Sequence, residues 1–165
     1  MFKKSIISKY ISLVFLVSFI GLAVLNTGCS SIMLSIKQSQ YKNDLTSKAK
    51  YDKPQKAVYQ AMYETMSSNS TIARESERRG FIESEMQEYI TKTSQSRTTI
   101  FMEIMGDDAP FGVLTKVEVE SRNRDKNGRW SSWSKSRDGL MERKLRIQLY
   151  EKLNGPIVYP PELQG

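Results

Sequence analysis

The sequence predicts an α+β domain, an antiparallel sheet of about four strands packed against an N-terminal and a long C-terminal helix. Three observations carry this. Apolar residues recur every three or four positions at both ends of the mature region. Between them the period shortens to two, and the two-residue periods are separated by short turn signals rather than by helical crossovers, which argues for a meander.

Asp52-Lys53-Pro54-Gln55 opens the first helix, with Asp52 placed to cap, Gln55 three later, and proline in the first turn. Val58, Tyr59, Met62, Tyr63 and Met66 share one face over about 14 residues. The Ser67-Ser68-Asn69-Ser70 cluster ends it. A short strand over Thr71–Glu77 follows, turning at Arg79-Gly80. In the next segment Ile82, Ser84, Met86, Glu88 and Ile90 alternate with Phe81, Glu83, Glu85, Gln87 and Tyr89. That pattern suits a strand, with helix as the alternative. Residues 97–105 form a β-branched and aromatic strand with Ile100, Met102 and Ile104 on one side. Gly106–Pro110 breaks it.

Gly112–Arg124 is the clearest strand, Val113, Val117 and Val119 opposing Lys116, Glu118 and Glu120. Asn127-Gly128 favours a two-residue hairpin turn with positive φ at both positions. Counting outward pairs Asp125 with Trp130 and Arg122 with Trp133 on a return strand over Arg129–Ser134. Trp130 and Trp133 then face opposite ways unless a bulge intervenes, one into the core and the other toward water, a ligand or a partner. The last helix runs from about Asp138 to Leu153. Met141, Leu145, Gln148 and Leu149 form its buried stripe, broadened by Leu140, and Asn154-Gly155-Pro156 stops it. A proline-rich tail lies extended on the surface.

Charge is polarised less than its total suggests. The chain has 25 basic and 18 acidic residues, +7, but Lys3, Lys4 and Lys9 flank an apolar run, and the remainder is only +4. That argues against nucleic acid as a partner. With no histidine and one cysteine, Cys29, the chain offers neither Cys/His zinc sets nor a Ser-His-Asp triad nor a Cys-His dyad.

Residues 1–9 are basic and residues 10–25 carry no charge. The run of 16 is short against the roughly 20 residues of a membrane-spanning helix. Leu25-Asn26-Thr27-Gly28-Cys29 follows it. Basic start, apolar middle and small residues before a cut are the order of a secretory signal. The segment resembles the lipobox of bacterial lipoproteins, Thr27 and Gly28 matching the small residues before the cysteine, while Asn26 stands where an aliphatic residue is usual. The resemblance implies a signal peptide over 1–28, cleavage before Cys29 and acylation of Cys29, palmitate included. Ser30 implies export to the outer membrane, facing the periplasm, if the source is Gram-negative. The alternatives are a free thiol beyond an uncleaved anchor and an ordinary signal-peptidase cut nearby. Residues 29–51 are then a lipid-anchored tether, or a short edge strand at Ile32, Leu34 and Ile36, and residues 52–165 the domain. A curved sheet gripping a long C-terminal helix is similar in element order to the small helix-grip domains of some outer-membrane assembly lipoproteins.

Arg122, Arg124, Lys126 and Arg129 cluster at the hairpin tip with Trp130 and Trp133, and form the candidate contact patch, because tryptophan and arginine concentrate interface energy. Asp107 and Asp108 offer too few oxygens for a calcium loop. Arg74, Glu75, Glu77, Arg78 and Arg79 suit a solvated edge strand. Alternation puts Glu83 and Glu85 on one side and Glu88 on the other, without a surrounding cleft for carboxylate catalysis. Serine-rich stretches at Ser94–Arg97 and Ser131–Ser136 lack a strained nucleophile turn. The expectation is a non-enzymatic envelope lipoprotein, without cofactor or metal, that docks onto another envelope protein. The alternative is an amphiphile-binding module with its site between sheet and C-terminal helix, where methionines would give an adaptable lining.

Overall fold

The computed structural model describes residues 31–164. The signal-like segment and Cys29 fall outside them. The described residues divide into two compact units, one holding 31–41 and the tail from Tyr159, the other Lys42–Val158.

Residues 31–47 are helical (α1), where a tether or an edge strand is expected. The alternation of Ile32, Leu34 and Ile36 is incidental. Leu34, Gln38 and Tyr41, at helical spacing, are among its half-buried positions. In the first unit Gln38 Nε2 donates to the Leu163 carbonyl at 2.8 Å, and the Tyr41 and Tyr159 rings lie 6.1 Å apart.

The second unit is a mixed α+β fold, an antiparallel sheet with helices packed on it. Its elements are α2 (Gln55–Ser67), β1 (Ile72–Ser76), β2 (Phe81–Ser84), β3 (Gln87–Ile90), β4 (Ser94–Met105), β5 (Gly112–Asn123), β6 (Ser134–Arg137) and α3 (Gly139–Asn154). The sheet has six strands rather than four, in the order β1-β2-β4-β5-β6, with β3 also paired to β4. One added strand comes from the segment after Gly80, expected as a single strand. It breaks at Glu85-Met86, and the β4 pairing shifts by one residue, from Glu83↔Phe101 to Gln87↔Thr98. The shift carries Glu88 onto the face of Glu83, against the alternation, and leaves Met86 and Ile90 exposed.

β4 and β5 pair over their full length, from Ser94↔Asn123 to Met105↔Gly112. Ile82, Ile100, Met102, Ile104 and Val117 line the inner face, against Val58, Met62 and Met66 of α2 and Leu145 and Leu149 of α3. Met62, Met66, Ile82, Met102, Leu145, Leu149, Val58 and Val117 are each under 2% exposed, and burial of each such side chain contributes roughly 1.5–3 kcal/mol before entropy is charged. The expected helix faces hold with two exceptions: Tyr63 and Leu140 are exposed.

Helix boundaries follow their local chemistry. Asp138 caps α3 by accepting from Leu140 and Met141 N–H at 3.0 Å each, and Gly155, at φ +83°, closes it. Asp52 does not cap α2; Pro54 occupies the cap, and its carbonyl accepts from Ala57 and Val58. Gly80, at φ +62°, turns the chain between β1 and β2 so tightly that an added Cβ would stand 2.7 Å from Ile104 Cβ. Only glycine fits there.

One buried carboxylate joins sheet to helix. Glu142, on the α3 stripe where Leu140 is expected, has its side chain 8% exposed. Its Oε1 accepts from Val117 N–H at 3.0 Å and Arg137 Nε at 2.8 Å. It thus satisfies a β5 donor just beyond the last β6 pair, Glu118↔Arg137, and ends the ladder there.

Candidate functional site

α2 and α3 cover one face of the sheet. The opposite face carries the alternate side chains of β4 and β5: Gln95, Arg97 and Thr99 beside Glu118, Glu120 and Arg122. At its β3–β5 end the charged residues form a network with both tryptophans.

The hairpin after β5 builds it. Its loop has three residues, Lys126-Asn127-Gly128, closed by Asp125 N–H donating to the Arg129 carbonyl at 2.8 Å. Asp125 Oδ1 accepts from Asn127 and Arg129 N–H, both at 2.8 Å. Gly128 alone takes positive φ, +79°, so the expected two-residue turn does not form. The extra loop residue moves the pairing by one, to Arg124↔Trp130. Ser131 still follows that register, its N–H bonding the Asn123 carbonyl, but Ser121 pairs with Ser134. Ser132 and Trp133 therefore stand opposite Arg122 alone, a bulge that restores the original count. The return strand begins at Ser134, five residues later than expected.

Loop and bulge together make the exception to simple alternation, so that the tryptophans share a face. Both lie on the face opposite α2 and α3. The Arg122 guanidinium carbon is 5.0 Å from the Trp130 ring centroid and 4.5 Å from that of Trp133. Arg97 lies over Trp133 at 4.3 Å, and Arg124 over Trp130 at 5.8 Å. These are cation–π distances. Neither tryptophan is in the core.

A hydrogen-bond chain fixes the guanidinium planes. Arg122 Nε donates to Gln95 Oε1 at 2.7 Å, Gln95 Nε2 to Glu88 Oε1 at 2.7 Å, and Arg97 Nε to the same carboxyl oxygen at 2.8 Å. These bonds, Arg97's foremost, hold the Glu88 carboxyl below its ordinary 4.5. Gln95 is buried although α2 and α3 lie on the opposite face. Arg124 Nε donates to the Gly128 carbonyl at 2.8 Å.

Charge at the site is only partly compensated. Glu88 pairs with Arg97, and Glu120 with Lys135 at 3.1 Å. No ion pair among the described residues engages Arg122 or Arg124. Of the six predicted patch residues, Arg122, Arg124, Trp130 and Trp133 come together. Lys126 and Arg129 are exposed in the loop, where Arg129 closes the turn through its backbone. Gln95, Arg97 and Glu88 are the members that local sequence misses. Each lies 25 or more residues from Arg122, and strand register alone brings them near.

Beside the cluster, an open pocket of about 290 Å³ runs along β5 and β6, lined by Lys116, Glu118, Val119, Glu120, Lys135, Ser136 and Arg137. Asp107 and Asp108 are exposed, and among the described residues no three carboxylate or thiol groups gather as a metal site would require. No protein-family model, curated protein or solved structure matches the chain.

Proposed function

We propose that this chain is a non-enzymatic envelope lipoprotein, held to the membrane by acylated Cys29, whose α+β domain docks onto an envelope protein through the Trp130–Trp133–Arg122 face. The observation that carries the docking is the convergence of two tryptophans on three arginines, of which Arg122 and Arg124 make no ion pair among the described residues. Such residues are pre-positioned at little entropic cost, and they are the types that dominate interface energetics. An acidic partner surface would complement Arg122 and Arg124 and displace little bound structure.

The amphiphile-binding reading draws less support. Its site would lie between sheet and α3, where Val117, Met102, Leu145 and Leu149 pack to near-zero exposure. Among the described residues no helix is long and apolar enough to cross a membrane. The anchor reading rests on the lipobox-like Leu25-Asn26-Thr27-Gly28-Cys29 alone.

Two measurements test the reading. Labelled fatty acid should enter the wild type and not Cys29→Ser, with the wild type in the outer-membrane fraction. Affinity purification from detergent-solubilised envelopes should recover one stoichiometric protein with the wild type and lose it with Trp130→Ala/Trp133→Ala. Label in neither protein, or equal recovery by both, would refute the corresponding half.

A further inference from the structure

The segment that follows Cys29 carries a surface that docking through the sheet does not use. One side of residues 31–41 is occupied by the tail, through Gln38 and Tyr41. Another is apolar and bare: Ile32 is 60% exposed, Met33 62% and Ile36 50%. At 3.6 residues per turn the three fall within a wedge of about 100°. Ser35 and Lys37, both exposed, flank it.

The position of Cys29 says what covers this face. Cys29 lies three residues before Ile32 and seven before Ile36. Even fully extended chain keeps Ile36 within about 25 Å of the cysteine, and Ile32 within about 11 Å. If the sulfur carries acyl chains in the bilayer, the bare wedge lies at the lipid surface. A membrane-bound helix of this kind pairs apolar side chains in the acyl boundary with basic ones at the headgroups, and Lys37 sits at the wedge's edge for the second role.

We propose that Ile32, Met33 and Ile36 insert into the boundary between headgroups and acyl chains, so that α1 begins as an interfacial helix and gives the protein a second membrane attachment beside Cys29. The inference rests on the lipoprotein reading only for the place of the anchor. Two attachments engaged at once hold better than one, and the second orients the chain as it leaves the membrane.

The test uses the full-length protein from membranes, reconstituted into phosphatidylethanolamine–phosphatidylglycerol vesicles. An environment-sensitive fluorescent amino acid is placed at position 36 or, as the control, at position 35. Lipids brominated near the headgroup end should quench position 36 about threefold more than position 35, while aqueous iodide does the reverse. Equal iodide access at both positions would overturn the proposal. Fatty-acid labelling of the same preparations separates the two readings. Label with an iodide-accessible position 36 overturns the interfacial helix and leaves the anchor. A shielded position 36 without label supports the helix and overturns acylation. Protein that neither carries label nor floats with the vesicles overturns both.

Discussion

Trp130 and Trp133 share one arginine: the Arg122 guanidinium carbon lies 5.0 Å from one ring centroid and 4.5 Å from the other. Simple alternation would separate the two rings by the thickness of the sheet. A three-residue loop and a bulge at Ser132-Trp133 bring them to one face, and the Gln95–Glu88–Arg97 chain beneath holds the arginine planes in place. The surface is built before any partner arrives.

The cation–π arrangement is measurable without a partner. A double-mutant cycle of Arg122→Ala and Trp133→Ala, read by urea unfolding, should give a coupling of about 0.5–1 kcal/mol, as expected for an exposed pair. Because Arg122 also anchors Gln95, its single substitution should cost more than that of Trp133. A coupling of zero would mean that the ring and the guanidinium do not act together.

Glu142 should prove more costly to remove than any surface charge. Glu142→Ala leaves Val117 N–H and the Arg137 guanidinium without their acceptor, and a lost buried acceptor costs about 1–3 kcal/mol. Glu142→Gln keeps an oxygen for Val117 and should lose less. Amide exchange at Val117 should accelerate in the alanine variant before the rest of β5. Unchanged exchange there would contradict the role of Glu142 in ending the ladder.

Thr115 offers the opposite sign. It is buried on the inner face of β5, and its hydroxyl has no hydrogen-bond partner among the described residues. Thr115→Val keeps the branched shape and removes the unpaired group, so stability should rise by about 1 kcal/mol. Equilibrium unfolding decides it, and destabilisation of similar size would show that the hydroxyl is satisfied.

Two buried tyrosines set the alkaline limit. Burial pushes Tyr51 up from 10.0 to about 12, with a smaller effect from Tyr150. Burial does the same for Tyr59, helped by the bond its hydroxyl donates to Glu75 at 3.0 Å. In both, the folded state holds a proton that the unfolded chain releases near pH 10. Their contribution is therefore complete below pH 10 and is lost as pH rises toward 12. Absorbance titration should show two late-ionising tyrosines, and Tyr59→Phe should flatten the fall in Tm over this window. A fall as steep as the wild type's would remove Tyr59 from the account.

Sequence reveals this fold where one face of an element is buried and the other wet. Ile100, Met102 and Ile104 mark β4, Val113 and Val117 mark β5, and Asp138 with Gly155 brackets α3. It fails where register changes within a segment. Nothing local at Glu85-Met86 announces the break that divides β2 from β3, and no propensity marks Ser132-Trp133 as a bulge. α1 is hidden for another reason. Its less exposed positions mix Leu34 and Leu45 with Gln38, Ser39, Lys42 and Asn43, too polar to stand out as a stripe, while the apolar Ile32, Met33 and Ile36 are exposed. The candidate site was half legible: the hairpin composition gives Arg122, Arg124, Trp130 and Trp133, whereas Gln95, Arg97 and Glu88 emerge only from long-range pairing.

The docking claim is tested most directly by site-specific photocrosslinking in living cells. A photoreactive amino acid at position 99, on the uncovered face of β4, is compared with one at position 144, exposed on α3. The account predicts a discrete adduct with one envelope protein from position 99 and none from position 144. That adduct should weaken at least tenfold with Trp133→Ala, since loss of a central hot spot costs about 2 kcal/mol or more. An adduct from position 144 alone, or one from position 99 that Trp133→Ala leaves intact, would contradict it.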